Sequence, residues 1–158
     1  MLRPAGQAIG FRDEADLPPA GLKGIKAITV DAVSIPSPLT PGADESIQAA
    51  VADRLAAAGV PVFSADECAA REDCAYLDIR VRTLTSKSGA LVIFVVEASV
   101  PQPVKLVRDP SIELGMGVAT YRDVEFGVAP SGKALAVVSD AAVELARRFA
   151  VIRTRENR

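Results

Sequence analysis

Two cysteines, Cys68 and Cys74, and four carboxylates, Asp66, Glu67, Glu72 and Asp73, crowd the stretch ADECAAREDC. Thiolates and carboxylates are groups that hold metals or exchange disulfides, so this is where chemistry is first sought. The cysteines are separated by five residues, which does not match the C-x-x-C of redox pairs and zinc knuckles. With no histidine and no third cysteine in the chain, zinc would need carboxylates to complete its shell. A calcium loop needs oxygen ligands at alternating positions around a turn glycine, and this stretch has neither. The acidic cluster therefore reads as a solvated loop, and no metal is expected. Two options remain for the thiols: a small-loop disulfide or two unrelated free cysteines. Inert free cysteines sit in apolar surroundings, so a polar irregular loop favours the disulfide. Such a bridge implies an oxidising compartment and, closing so short a loop, contributes roughly 2 kcal/mol.

The rest of the chain offers little catalytic equipment. Without histidine it lacks the usual general base and nucleophile activator, and no Ser-His-Asp or Cys-His arrangement can be built. No phosphate-binding glycine motif follows a strand; Gly115-Met116-Gly117 lies inside a strand-like run and lacks the third glycine. Glu97, inside VIFVVEASV, is the one oddly placed acid. It is expected to face outward or to pair with Arg80 or Arg82 on a neighbouring strand. No enzyme activity and no cofactor are expected.

The elements that must carry these residues follow from periodicity. Residues 1–24 hold seven Pro and Gly residues and no sustained apolar period, which predicts an irregular arm. Leu2, Ile9, Phe11 and Leu17 are spaced along it as anchors for a partner chain. GIKAITVDAVSI predicts a central strand ending at PSPLTPG. A helix is expected from about Asp44 to Ala58, with Ile47, Val51, Leu55 and Ala58 as its apolar stripe, acids at its start and Gly59 just past its end. A short strand at 60–63 and an irregular cysteine loop at 64–74 come next. AYLDIRVRTLT alternates polar and apolar residues as a half-buried strand does, and SKSG links it to ALVIFVVEASV. A break at PQP precedes VKLVRDP and a last strand, LGMGVATYRDVEFGV. From about Ser131, Leu135, Val138, Ala142, Leu145, Phe149 and Ile152 mark a long amphipathic helix. The predicted class is α+β: a two-layer sandwich with two helices on one face of a mixed, mostly antiparallel sheet, ordered β-α-β-β-β-β-α. One domain spans residues 25–153, and 154–158 form a charged tail.

The 158-residue length suits one domain, and 49% hydrophobic residues argue against disorder. A net charge of −2 gives no strong pull toward nucleic acid or anionic lipid, and no nucleic-acid partner is expected. The charge is uneven: residues 1–79 carry 6 basic and 12 acidic side chains, residues 80–158 carry 12 and 8. A basic surface near the C-terminus is one reading of that asymmetry, two differently solvated faces the other. No apolar run is long enough to span a bilayer, and the first residues have no apolar core of a secretory signal.

GIKAITVDAV, DESIQAAVADRLAAAGVPVF, AYLDIRV and LVIFVVEASV, followed by an amphipathic helix, together resemble small bacterial envelope proteins. These are the lipopolysaccharide-assembly lipoproteins and the N-terminal domain of the Tol-system propeller protein. The resemblance covers about residues 22–153, lacks a lipobox cysteine and transfers no functional residue. It implies a periplasmic domain that holds other protein subunits of an envelope complex and catalyses nothing. The competing class, a carrier of small molecules or lipids, requires a cavity between helices and sheet. Ala49, Ala50, Ala52, Ala56 and Ala57 favour close packing instead.

Overall fold

A computed structural model describes residues 8–10, 19–37 and 39–158. In chain order the elements are β1 (Ala8–Gly10), a 3-10 turn (Pro19–Leu22), β2 (Ala27–Ile35), α1 (Ala43–Ala57) and α2 (Ala65–Ala69). They continue with β3 (Cys74–Thr85), β4 (Leu91–Leu106), β5 (Asp109–Pro130), a second 3-10 turn (Ser131–Lys133) and α3 (Ala134–Glu156). The five strands form one sheet in the order β1-β5-β4-β3-β2. Only β2 and β3 run parallel, because α1 and α2 carry the chain back between them; every other neighbouring pair is antiparallel. The α+β class and the mixed, mostly antiparallel sheet are as the sequence predicts.

Period-two alternation sorts the strands into faces. Ala75, Leu77, Ile79 and Val81 of β3 and Val92, Phe94, Val96 and Ala98 of β4 are buried under the helices. Against them lie Ile47, Val51 and Leu55 of α1 and Val138, Ala142, Leu145 and Phe149 of α3, all fully buried. Each of the Val, Leu, Ile and Phe side chains among them contributes about 1.5–3 kcal/mol by leaving water. The layer where a carrier would need its cavity is occupied by Phe94, Phe149, Leu77 and Leu145.

The structure corrects several expectations. Residues 60–63 make only an isolated bridge, Val62 to Ile28, because α2 follows too closely for a full strand. The cysteine loop is partly helical. Ser64 caps α2: its Oγ accepts from the Glu67 amide at 3.3 Å, and the Glu67 carboxylate accepts from the Ser64 amide at 2.9 Å. The break at PQP is absent, and β4 runs through Pro101 and Pro103. Beyond Ser99 it pairs with β5 alone, so a missing N–H on the other edge costs no ladder bond. Register shifts at Val100/Pro101, Gln102/Val104 and Lys105/Leu106 absorb the irregularity.

Both chain ends differ from expectation as well. In the arm, Ala8–Gly10 pairs with the chain's own β5, placing Ile9 opposite Phe126, and Leu22 is fully buried. Leu2, Phe11 and Leu17 lie outside the described residues. The supposed tail, 154–158, is helical to Glu156, and Asn157 closes the fold. Its Oδ1 accepts from the Gly24 amide at 2.8 Å while its Nδ2 donates to the Leu22 carbonyl at 2.9 Å. The domain thus begins earlier and ends later than residues 25–153.

Candidate interaction surface

The cysteines are joined: Cys68 and Cys74 form a disulfide with Cα atoms 5.3 Å apart. The bridge staples α2 to the first residue of β3, where the Asp73 carbonyl also accepts from the Lys26 and Ala27 amides. Replacing both cysteines by alanine is expected to cost about 2 kcal/mol. Urea unfolding with and without reductant checks this, since reductant should lower the wild-type midpoint and leave the variant unmoved. A variant as stable as the oxidised wild type would show the staple to be idle.

Two of the four acids around the bridge, Glu67 and Asp73, are engaged locally. Glu67 serves the α2 cap, and Ser64, through backbone and then side-chain hydrogen bonds, holds its carboxyl below the usual range. Asp73 receives both Arg71 nitrogens at 2.9 and 3.1 Å. Among the described residues no three potential metal ligands converge. Glu97 does pair, but with Arg122 of β5 at 2.7 Å instead of Arg80 or Arg82 of β3. Arg80 is directly opposite Glu97 in register, yet Arg122 reaches it diagonally across the other edge of β4.

Of the arginines near the C-terminus, Arg148 and Arg153 are engaged inside the fold and Arg147 in an exposed ion pair. Arg153 donates to the Ile25 carbonyl at 3.0 Å and to that of Lys26 at 2.6 Å, tying α3 to the entrance of β2. Arg147 pairs with Glu144 at 2.7 Å. Arg148 turns under α3 to Asp123 at 2.7 Å and Glu125 at 2.5 Å on the helix-facing side of β5. Burial pulls the Arg148 guanidinium down, but hydrogen bonds to Asp123 and Glu125 outweigh it and hold its pKa above the ordinary value. Burial, with Asp123 nearby, pushes the Tyr121 phenol up. This network lies largely beneath the helix, with Glu125 its most deeply buried member. Sequence reasoning missed it because its signal, Tyr121-x-Asp123-x-Glu125 on one strand face, looks like ordinary alternation.

The other side of the sheet is different. Where β2 and β3 begin, α2 packs on them and Ala27 and Thr29 are buried. Toward the far ends of the same strands, no described element covers the face. Leu84 is 67% exposed and Ile93, directly opposite it, 46%. Val128 continues this row across β5, and Ile35 of β2 starts the next one, which runs through Arg82 and Val95 to Phe126. Leu91 extends the patch toward the β3–β4 turn, where Gly89 adopts φ 72°. Contiguous exposed apolar residues at this density mark a contact surface. Farther along, Arg80 and Arg122 meet Asp78 and Glu97 in a charged band. Burial raises the Asp78 carboxyl pKa; Arg80 opposes that rise and Asp31 adds to it.

The β4–β5 hairpin projects beyond the covered part of the sheet. Its tip residue Val107 is 99% exposed, and Ile112 and Leu114 are exposed too. Its base is clamped: the Gln102 side-chain amide donates to the Gly21 carbonyl at 2.8 Å and to Thr120 Oγ1 at 2.6 Å. Gly21 is the residue that allows this approach, since a Cβ there would collide with the Thr120 carbonyl oxygen.

The fold has precedents among solved structures. The chain is similar to a single-substitution variant of the PelC dodecamer from Paraburkholderia phytofirmans, in space group C2. The two are 19% identical, with 90% of this chain and 96% of that one covered and a TM-score of 0.52. A PelC dodecamer from the same organism in space group P6 is 17% identical, covers 96% and 98%, and has a TM-score of 0.51. What is shared is the fold. No family model and no curated protein matches the chain. The resemblance to lipopolysaccharide-assembly lipoproteins and the Tol-system domain gains no support from these comparisons.

Proposed function

We propose that this chain is a non-catalytic structural subunit that assembles with copies of itself in an extracytoplasmic compartment of a bacterial envelope. The observation that carries this reading is the apolar sheet face that no described element covers, a surface that would be left in water at a cost. The disulfide supports an oxidising compartment. The two PelC structures of the same fold, both dodecamers, support self-assembly. No helix among the described residues is long and apolar enough to cross a membrane. The residues near Glu97 and Arg148 are paired with one another, which suits a scaffold better than a reaction centre.

Light scattering on the oxidised protein, eluting from a sizing column, tests the reading. A species several times the 16.5 kDa chain mass is expected. A monomer that persists at concentrations of about 100 μM, well above the micromolar Kd of a weak specific contact, would refute self-assembly.

A further inference from the structure

Resting on the self-assembly reading, we infer that the uncovered sheet face receives the outer side of α1 from a second copy, in a head-to-tail contact. Arg82 sets what this face can receive. It sits inside the apolar patch, flanked in register by Ile35 and Val95, and among the described residues it has no carboxylate partner. Its neighbouring acids are engaged, Glu97 by Arg122 and Asp78 by Arg80. A two-fold contact centred on the patch would bury two copies of Arg82 against each other with no counter-charge, an arrangement that like-charge repulsion and desolvation both oppose. The face therefore asks for an apolar or small-residue surface that brings a free carboxylate.

The molecule has such a surface on its opposite side. α1 buries Ile47, Val51 and Leu55 and turns Glu45, Ala49, Asp53 and Ala56 to solvent along one stripe. Asp53 has no partner within its own chain among the described residues, and the flanking alanines let a sheet approach closely. Because α1 and the uncovered patch lie on opposite layers, each copy presents one surface of each kind. Such a contact repeats in one direction and closes into a ring when its rotation permits.

Two variants test the assignment. Leu84→Glu spoils the sheet face at an exposed position, and Asp53→Arg with Ala56→Arg spoils the helix side; retained far-UV circular dichroism and cooperative unfolding verify both folds. Each variant alone is expected to drop to the mass of one chain. Mixed, they should form a 1:1 heterodimer and nothing larger, since each keeps one intact surface. Retention of the wild-type mass by Leu84→Glu overturns the face, and by the α1 variant overturns the occupant. A mixture that stays monomeric means a two-fold contact and overturns the head-to-tail arrangement. A wild-type chain that is itself monomeric overturns the self-assembly reading and this contact with it.

Discussion

Arg148→Ala is expected to destabilise the fold by about 3–5 kcal/mol, more than any surface substitution. The arginine side chain is 14% exposed, and its partners Asp123 and Glu125 are 18% and 5% exposed. Removing it leaves two carboxylates facing the underside of α3 with no counter-charge. Glu125 has little to fall back on, because its Oε2 is already buried without a hydrogen-bond partner. The cost comes from the orphaned charges and only in part from lost attraction. Replacing Arg148 and Glu125 together by methionine should therefore recover the share due to Glu125, the more deeply buried carboxylate, and leave the share due to Asp123. Urea denaturation of the wild type, the single variant and the double variant decides the matter. A single-variant loss below about 1 kcal/mol would mean that water reaches the carboxylates and that the pair is a surface pair.

Phe149→Ala should cost a similar amount, about 3–5 kcal/mol. Phe149 is fully buried and meets Tyr121 edge-on, with ring centroids 5.3 Å apart and planes at 70°. Its truncation leaves a cavity between α3 and β5 that Leu145, one turn earlier on α3 and itself fully buried, cannot fill without leaving its own contacts. Phe149→Leu keeps most of the volume and should lose much less. Equal losses for the two variants would argue for the ring-edge geometry over the volume as the source of stability. Because Phe149 follows Arg148 on α3 and Tyr121 neighbours Asp123 on β5, combining this change with Arg148→Ala should give a non-additive loss. Thermal unfolding of the combined variant checks that coupling.

Much of the local structure was legible because its causes are local. The alternation of AYLDIRVRTLT places one set of side chains under the helices, and the three-and-four spacing from Val138 to Phe149 marks the buried stripe of α3. Gly59 and Gly89 do take the positive φ that a helix end and a hairpin turn require. The cysteine pairing was legible too, since six positions of sequence separation suffice to close the bridge. The cap of α2 was equally local: Ser64-x-x-Glu67 is a capping box, and the density of acids around it concealed the signal.

Other features had no local cause to read. Prolines 101 and 103 signal a break only if both edges of β4 are paired, and only the register, with β3 pairing no farther than Ser99, shows that one edge is free there. The choice of Arg122 over Arg80 as partner of Glu97 depends on β4 lying between β3 and β5. The terminal arginines look like a basic surface until α3 is laid against the start of β2, where Arg153 finds carbonyls 127 and 128 residues away in sequence. By itself the sequence determined the main strands, the two long helices, the disulfide and the α+β class, because periodicity and short loop closure act within a few residues. The tertiary structure alone decided which face of the sheet stays uncovered and which charges are spent inside the fold. Those outcomes depend on which distant segments meet, and a strand's alternation says that it has two faces without saying what lies over either.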